Sequence, residues 1–320
     1  MGHELTWGMP VILYLYLAGV GAGAVTVSAS VLLRGGDGKF GGGHFVMARY
    51  GALIGPLPVM LGTFLIIFEL GRPFRALNLF KLINLSPMNI GSWLLGLFIT
   101  VSLVYALVFL PSFVPQLKRL DHALDPVRKA LAWVNVPLGI SVAVYTGVML
   151  GAMPSRPLWN SPILAMLFLI SALSTGVAII ILVRALFHHG GKDPEDEHRY
   201  HLGAYILTAT DVMLIGFELL VIFLFVMFAH LTVGDVKHAV AIILPGGAMA
   251  SMFWVWVVLV GLLLPALVEL VYVVPKLIYH RTFAAPKAVE IAVSVAVLIG
   301  GFMLRYIVVI GGQATGPVGL

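Results

Sequence analysis

Apolar residues run along this chain in long unbroken blocks, with neither the spacing of an amphipathic surface helix nor the alternation of a half-buried strand. A helix needs about 20 apolar residues to cross the hydrocarbon core of a bilayer. Eight blocks reach that length, at residues 10–33, 46–70, 90–110, 130–153, 162–187, 200–230, 248–274 and 286–310. Glycine, proline or charge punctuates their ends, at Gly35-Gly36, Pro73, Pro111, Pro154, Gly190-Gly191, Pro245 and Pro275. The pattern predicts an all-α integral membrane protein of eight transmembrane helices, arranged as two four-helix bundles. It forms a single transmembrane domain over 1–320, with halves at about 1–155 and 156–320.

Composition agrees. Hydrophobic residues make up 60% of the chain and charged residues 10%, against about 25% charged in a soluble domain. The formal charge of +5 does not point to nucleic acid, because the basic residues are scattered among the short loops. Their distribution instead carries topology. The loops opposite the termini hold 13 Lys and Arg and those on the terminal side hold 5, with Arg305 inside the last block. An excess of basic residues marks the cytoplasmic side. Both termini are therefore expected in the periplasm, with the chain multi-pass in a bacterial cytoplasmic (inner) membrane. The N-terminal segment lacks the basic region of a cleavable signal peptide, so the first block is expected to persist as a helix. The acidic run 193–197 reads as a solvated loop.

Several chemistries are disfavoured. Cysteine is absent, which removes thiolate nucleophiles, cysteine-held zinc and cysteine-held iron–sulfur clusters from this chain. The 10 histidines all fall in loops or at block ends, whereas a haem inside the bilayer needs deep axial histidines. The expectation is no haem or metal in the chain, with any electron-carrying cluster in a partner.

Acids within spans are more informative, because a charge in hydrocarbon is costly and usually functional. Asp211 and Glu218 lie seven residues apart in the sixth block, nearly on one helix face. Glu269 and Glu290 lie toward the cytoplasmic ends of the last two blocks, and Arg305 toward the outer end of the eighth. Together they read as a proton path from the cytoplasm to mid-membrane, or as buried packing pairs and snorkelling interfacial groups. At the outer face, segments 69–80, 84–93, 144–162 and 305–313 gather arginine, tyrosine, tryptophan and asparagine. A quinone needs an apolar slot with one or two hydrogen-bond donors, and these segments supply the donors. An interfacial belt of aromatics and arginines is the plainer account of any one of them.

In their order along the chain, LYLAGVGAGA (15–24), GRPFRALN (71–78), SPMNIGSWLL (86–95), YTGVMLGAMPSRPLWN (145–160), LFLISALSTGVA (167–178), FWVWVVLVGLLLPALVEL (253–270) and RYIVVIGGQ (305–313) resemble the NrfD/PsrC family. These are the quinone-interacting membrane subunits of polysulfide reductase and of related molybdopterin or cytochrome complexes. The resemblance implies a membrane anchor subunit of a multisubunit respiratory oxidoreductase that binds quinone or quinol (menaquinone or ubiquinone) near the outer face. It implies an iron–sulfur, ferredoxin-like partner that exchanges electrons with the quinone, and a catalytic molybdopterin or cytochrome subunit beyond it. Tyr145 matches the tyrosine that lines the quinone pocket of polysulfide reductase. Tyr14 stands where that enzyme has a first-helix histidine, so the hydrogen-bonding scheme differs. Arg156, Trp159 and Asn160 are expected to shape the pocket mouth, with Arg72 and Ser86 as further contributors and Glu69 as a partner of Arg72 or a proton acceptor. Asp211, Glu218, Glu269, Glu290 and Arg305 form the expected proton path. Two other readings stay open: a secondary transporter using the intramembrane acids, and a purely structural anchor.

Overall fold

The computed structural model describes residues 7–35, 43–69, 86–112, 122–187, 194–279, 283 and 285–316. Among the described residues, eight helices are long and apolar enough to span a membrane: Met9–Arg34, His44–Phe68, Pro87–Ser112, Asp125–Gly151, Pro162–Phe187, Tyr200–Leu231, Met252–Tyr279 and Lys287–Ala314. They are termed spans one to eight. Each lies within a few residues of the block expected from the sequence. Proline opens spans one, three and four, where a missing N–H costs nothing because first-turn donors have no intrahelical partner.

The spans form two four-membered rings. Span one packs on spans two and four, and span three closes that ring against spans two and four. Span five packs on spans six and eight, and span seven closes the second ring against them. The rings join where span five lies against spans one and four. Span one is the most enclosed: 83% of its apolar window is buried, against 33% for spans two and three. A helix apolar on every side belongs in such a place.

Lipid tails are as apolar as leucine, so helices in a bilayer associate through close packing of small residues. The joint between the rings follows this rule. A Cβ on Gly176 of span five would land on the backbone of Gly23 in span one, and one on Gly23 would land on the carbonyl of Ala172. The small-residue segments of the first and fifth spans are thus the two faces of one helix crossing. Gly261 and Gly300 make a second such contact between spans seven and eight.

Span seven begins as a π-helix, Met252–Leu263, and continues as an α-helix, Leu264–Tyr279. Pro265 contributes locally, since it cannot donate the backbone hydrogen bond that an ordinary turn requires. Twelve π-helical residues are unusual, because most such segments are single turns.

Two arginines counted as loop charges are internal. Arg128 is 1% exposed and donates to the carbonyl of Val108 from Nε (3.2 Å) and Nη2 (3.0 Å), tying the start of span four to the end of span three. Its Nη1 donates to Asp125 at 2.9 Å, and its guanidinium lies over the rings of Phe45 and Phe109. Arg184, also 1% exposed, faces spans six and eight. Both sit one turn inside a helix end. The charge asymmetry between the two faces survives their removal from the count.

Candidate functional site

Two groups of side chains meet at the face that carries the termini. The first surrounds Tyr145, near the end of span four. Its hydroxyl donates to the thioether sulfur of Met149 at 3.5 Å, a weak acceptor. Its ring lies against Gly91 of span three, where any Cβ would collide with the ring and hydroxyl. Tyr14 of span one is buried and within electrostatic reach of Tyr145. Ser86 caps span three, its hydroxyl accepting from the Asn89 N–H at 3.3 Å. That cap starts the helix one turn before Gly91 and so helps to place it. Tyr14, Tyr145 and the span that Ser86 starts are therefore brought together.

The second group ties the loop after span four to the end of span eight. Trp159 donates its indole N–H to the carbonyl of Val308 at 2.6 Å and stacks on Trp7 with ring centroids 5.3 Å apart. Arg156 donates to the carbonyl of Gln313 at 2.8 Å. Gln313 in turn accepts from the N–H of Trp7 at 2.9 Å and donates to its carbonyl at 3.0 Å. Arg156 and Trp159 thus spend these donors on span eight, and Trp159 is only 2% exposed. Asn160 is exposed beside them. Trp7 and Gln313 complete the clamp, though neither is among the site residues expected from the sequence. Their reciprocal hydrogen bonds span 306 positions, a pairing that no local pattern reveals. Arg72 lies outside the described residues, as does the side chain of Glu69.

The acids form a chain through the second ring. Asp211 and Glu218 are 0% and 3% exposed. Ser174 donates to Asp211 at 3.0 Å, Ser171 is hydrogen-bonded to Glu218, and the two acids interact electrostatically. Arg305 donates to Ser171 and to the carbonyls of Gly301 (3.0 Å) and Phe168 (3.4 Å), and it shares the field of Glu218. A Cβ on Gly19 would press on its guanidinium at 3.2 Å, so the glycines of span one leave room for a buried cation. Beyond Arg305 lies Tyr16, two residues from Tyr14.

Toward the opposite face, Glu269 lies within the electrostatic reach of Asp211. Glu290 accepts from the Tyr200 hydroxyl at 2.9 Å and faces Arg184 at 3.9 Å. Both glutamates are 5% exposed, so neither snorkels to the surface. Each group of the expected path thus acts on at least one polar or charged residue of another span, and Ser171, Ser174 and Tyr16 are among those partners; their spacing on spans one and five carried no signal of that.

Known proteins resemble this chain over nearly its whole length. The chain is 31% identical to the C subunit of polysulfide reductase from Wolinella succinogenes over 321 residues, covering 97% of this protein and 95% of that one. It is 29% identical to protein NrfD of Escherichia coli over 327 residues, covering 98% and 96%. It is 30% identical to the NrfD homolog of Haemophilus influenzae over 324 residues, covering 98% and 96%. The family model described as polysulphide reductase, NrfD, matches residues 1–317, and the chain therefore belongs to the NrfD family of polysulphide reductase-like membrane proteins.

Proposed function

We propose that this chain is the quinone-reactive membrane subunit of a respiratory oxidoreductase complex, with its quinone site at the face that carries the termini. The observation that carries this reading is the Tyr145 hydroxyl. It sits between spans one, three and four, beside Tyr14 and the side-chain-free surface of Gly91, and its partner is a thioether that competes weakly for its proton. A donor so placed in apolar surroundings suits a quinone carbonyl. Tyr14 sits on the same wall. Ser86 positions span three, and Arg156 and Trp159 fix the wall's edge to span eight, with Asn160 and Arg72 assigned to the mouth.

Bound quinol, a menaquinol or ubiquinol, supplies two electrons and two protons on oxidation. The chain holds no cysteine, so the electrons pass to or from an iron–sulfur subunit docked on this face, and from there to a molybdopterin or cytochrome subunit. The names of the relatives, that of the polysulfide reductase subunit above all, support a multisubunit assembly. Asp211, Glu218, Glu269, Glu290 and Arg305 carry protons between the two faces. With the basic loops in the cytoplasm, the termini and the quinone site face the periplasm of a bacterial cytoplasmic membrane.

The test is Tyr145→Phe in the complex purified with its partners. Losing one donor should lower quinol-linked kcat/KM roughly tenfold while the subunits still copurify. Full quinol-linked activity in that variant would remove Tyr145 from the site.

A further inference from the structure

The end of the acid chain away from the termini is built differently from the rest. Ile181, Thr208, Glu269, Tyr272, Val289 and Glu290 are among the residues lining a small, partly open cavity between spans five, six, seven and eight. About 10 Å³ is open there to the centre of a water-sized sphere, close to the least that holds one water. Two carboxylates line this space, both 5% exposed. Oε2 of Glu269 and Oε1 of Glu290 have no hydrogen-bond partner among the described residues. Buried carboxylate oxygens are rarely left so, because an unmet polar group gives up its hydration with nothing in return. The partner each oxygen lacks is one that a water in the space beside both side chains would supply once a carboxyl turns toward it.

Glu290 is held from its other side. The Tyr200 hydroxyl donates to Oε2 at 2.9 Å, and Nη2 of Arg184 stands 3.9 Å from the same atom, longer than a hydrogen bond. The guanidinium lies over the Tyr200 ring at 4.4 Å and donates to the Tyr200 carbonyl from Nη1 at 3.4 Å. Its Nε and Nη2 have no hydrogen-bond partner among the described residues. His201 and Lys287 also act on Glu290, and Asp211 acts on Glu269.

Resting on the reading of the acids as a proton path, we infer that this cavity is the proton-loading chamber of that path, with Glu290 as its entry, Thr208 and a bound water as its relay, and Arg184 and Tyr200 as the residues that position Glu290. A proton from water on the basic-loop side binds the Glu290 carboxylate. The neutral acid no longer attracts Arg184, so its carboxyl is free to turn toward the cavity. It gives the proton through the cavity water to Glu269 and returns to carboxylate, and Glu269 then gives the proton to Asp211. Only O–H bonds form and break, one for one at each step. The pairing with Arg184 makes Glu290 a valve: the ion pair re-forms once the proton has moved inward.

The experiment uses the complex with its partner subunits in sealed vesicles, driven by a soluble quinol, with proton uptake and electron transfer followed together. Glu290→Gln and Thr208→Val should each lower the rate of proton uptake, the first by at least about tenfold as expected for loss of a positioned proton carrier. Glu290→Asp should restore part of it. Asp211→Asn tests the underlying path separately. If Asp211→Asn stops uptake while Glu290→Gln and Thr208→Val both proceed at the wild-type rate, the chamber is overturned and the path stands. If Asp211→Asn takes up protons normally, the path fails and the chamber with it. Should Glu290→Gln not assemble, Thr208→Val, which keeps shape and charge, decides alone.

Discussion

Whether Tyr145 can offer its hydroxyl to a ligand depends on a residue with no side chain. Gly91 lies where any Cβ would meet the tyrosine ring. Gly91→Ala should therefore displace Tyr145 and lower quinol-linked kcat/KM roughly fivefold, the worth of about one hydrogen bond. Quinol titration of the assembled complex checks this, and a variant as active as wild type would separate Gly91 from the site. Tyr145 was picked out in the sequence because it matches a tyrosine of polysulfide reductase within a segment that resembles the family, and Tyr14 because it stands where that enzyme has a histidine. Gly91 was not, since a glycine in a helix signals a close approach without saying to what. Arg156 and Trp159 show the converse. Their residue types fit a pocket mouth, and their hydrogen bonds run to the carbonyls of Gln313 and Val308. Composition reports which donors exist; only neighbours report where they are spent.

At the level of helices, the joint between the two rings rests on small residues. Spans one and five approach so closely at Gly23 and Gly176 that neither position has room for a methyl group. Gly176→Leu should push the spans apart and destabilise the chain by about 1–3 kcal/mol, the usual cost of overpacking. Thermal unfolding of the detergent-purified complex measures it; an unaltered midpoint would mean that the crossing relaxes freely. The small residues of these two spans, set far apart in the sequence, form one interface in space. The π-helical start of span seven left no such trace beyond Pro265. It alters the phase at which the following α-helix, with Glu269, enters the core, because its turns hold more residues than those of an α-helix.

For the molecule as a whole, eight spans place both ends of the polypeptide on one face, and the hydrogen bonds between Trp7 and Gln313 join them there. The excess of basic residues on the other face predicts that the shared face is periplasmic. The native sequence has no cysteine, so single cysteines can be read without background. Gly316→Cys should react with a membrane-impermeant maleimide added outside intact spheroplasts, and Lys129→Cys, at the exposed start of span four, should react only after lysis. The reverse pattern would invert the topology and move the proposed quinone site to the cytoplasmic face.

The number of spans, their ends and the sidedness of charge were determined by sequence alone, because hydrocarbon imposes one requirement on every residue that crosses it: apolar side chains and internally satisfied backbone. The acids stood out for the same reason, as costly exceptions to that rule. Tertiary structure decided what those exceptions do to one another. Asp211 meets Ser174 across 37 residues of sequence, and Glu290 meets Tyr200 across 90. Glu218 meets Ser171, and Arg184 faces Glu290, again from different spans. Hydrogen bonds need donor and acceptor within about 3 Å, and Coulomb energy depends on separation and burial, so only the packing of one helix on another could settle which charges share a field.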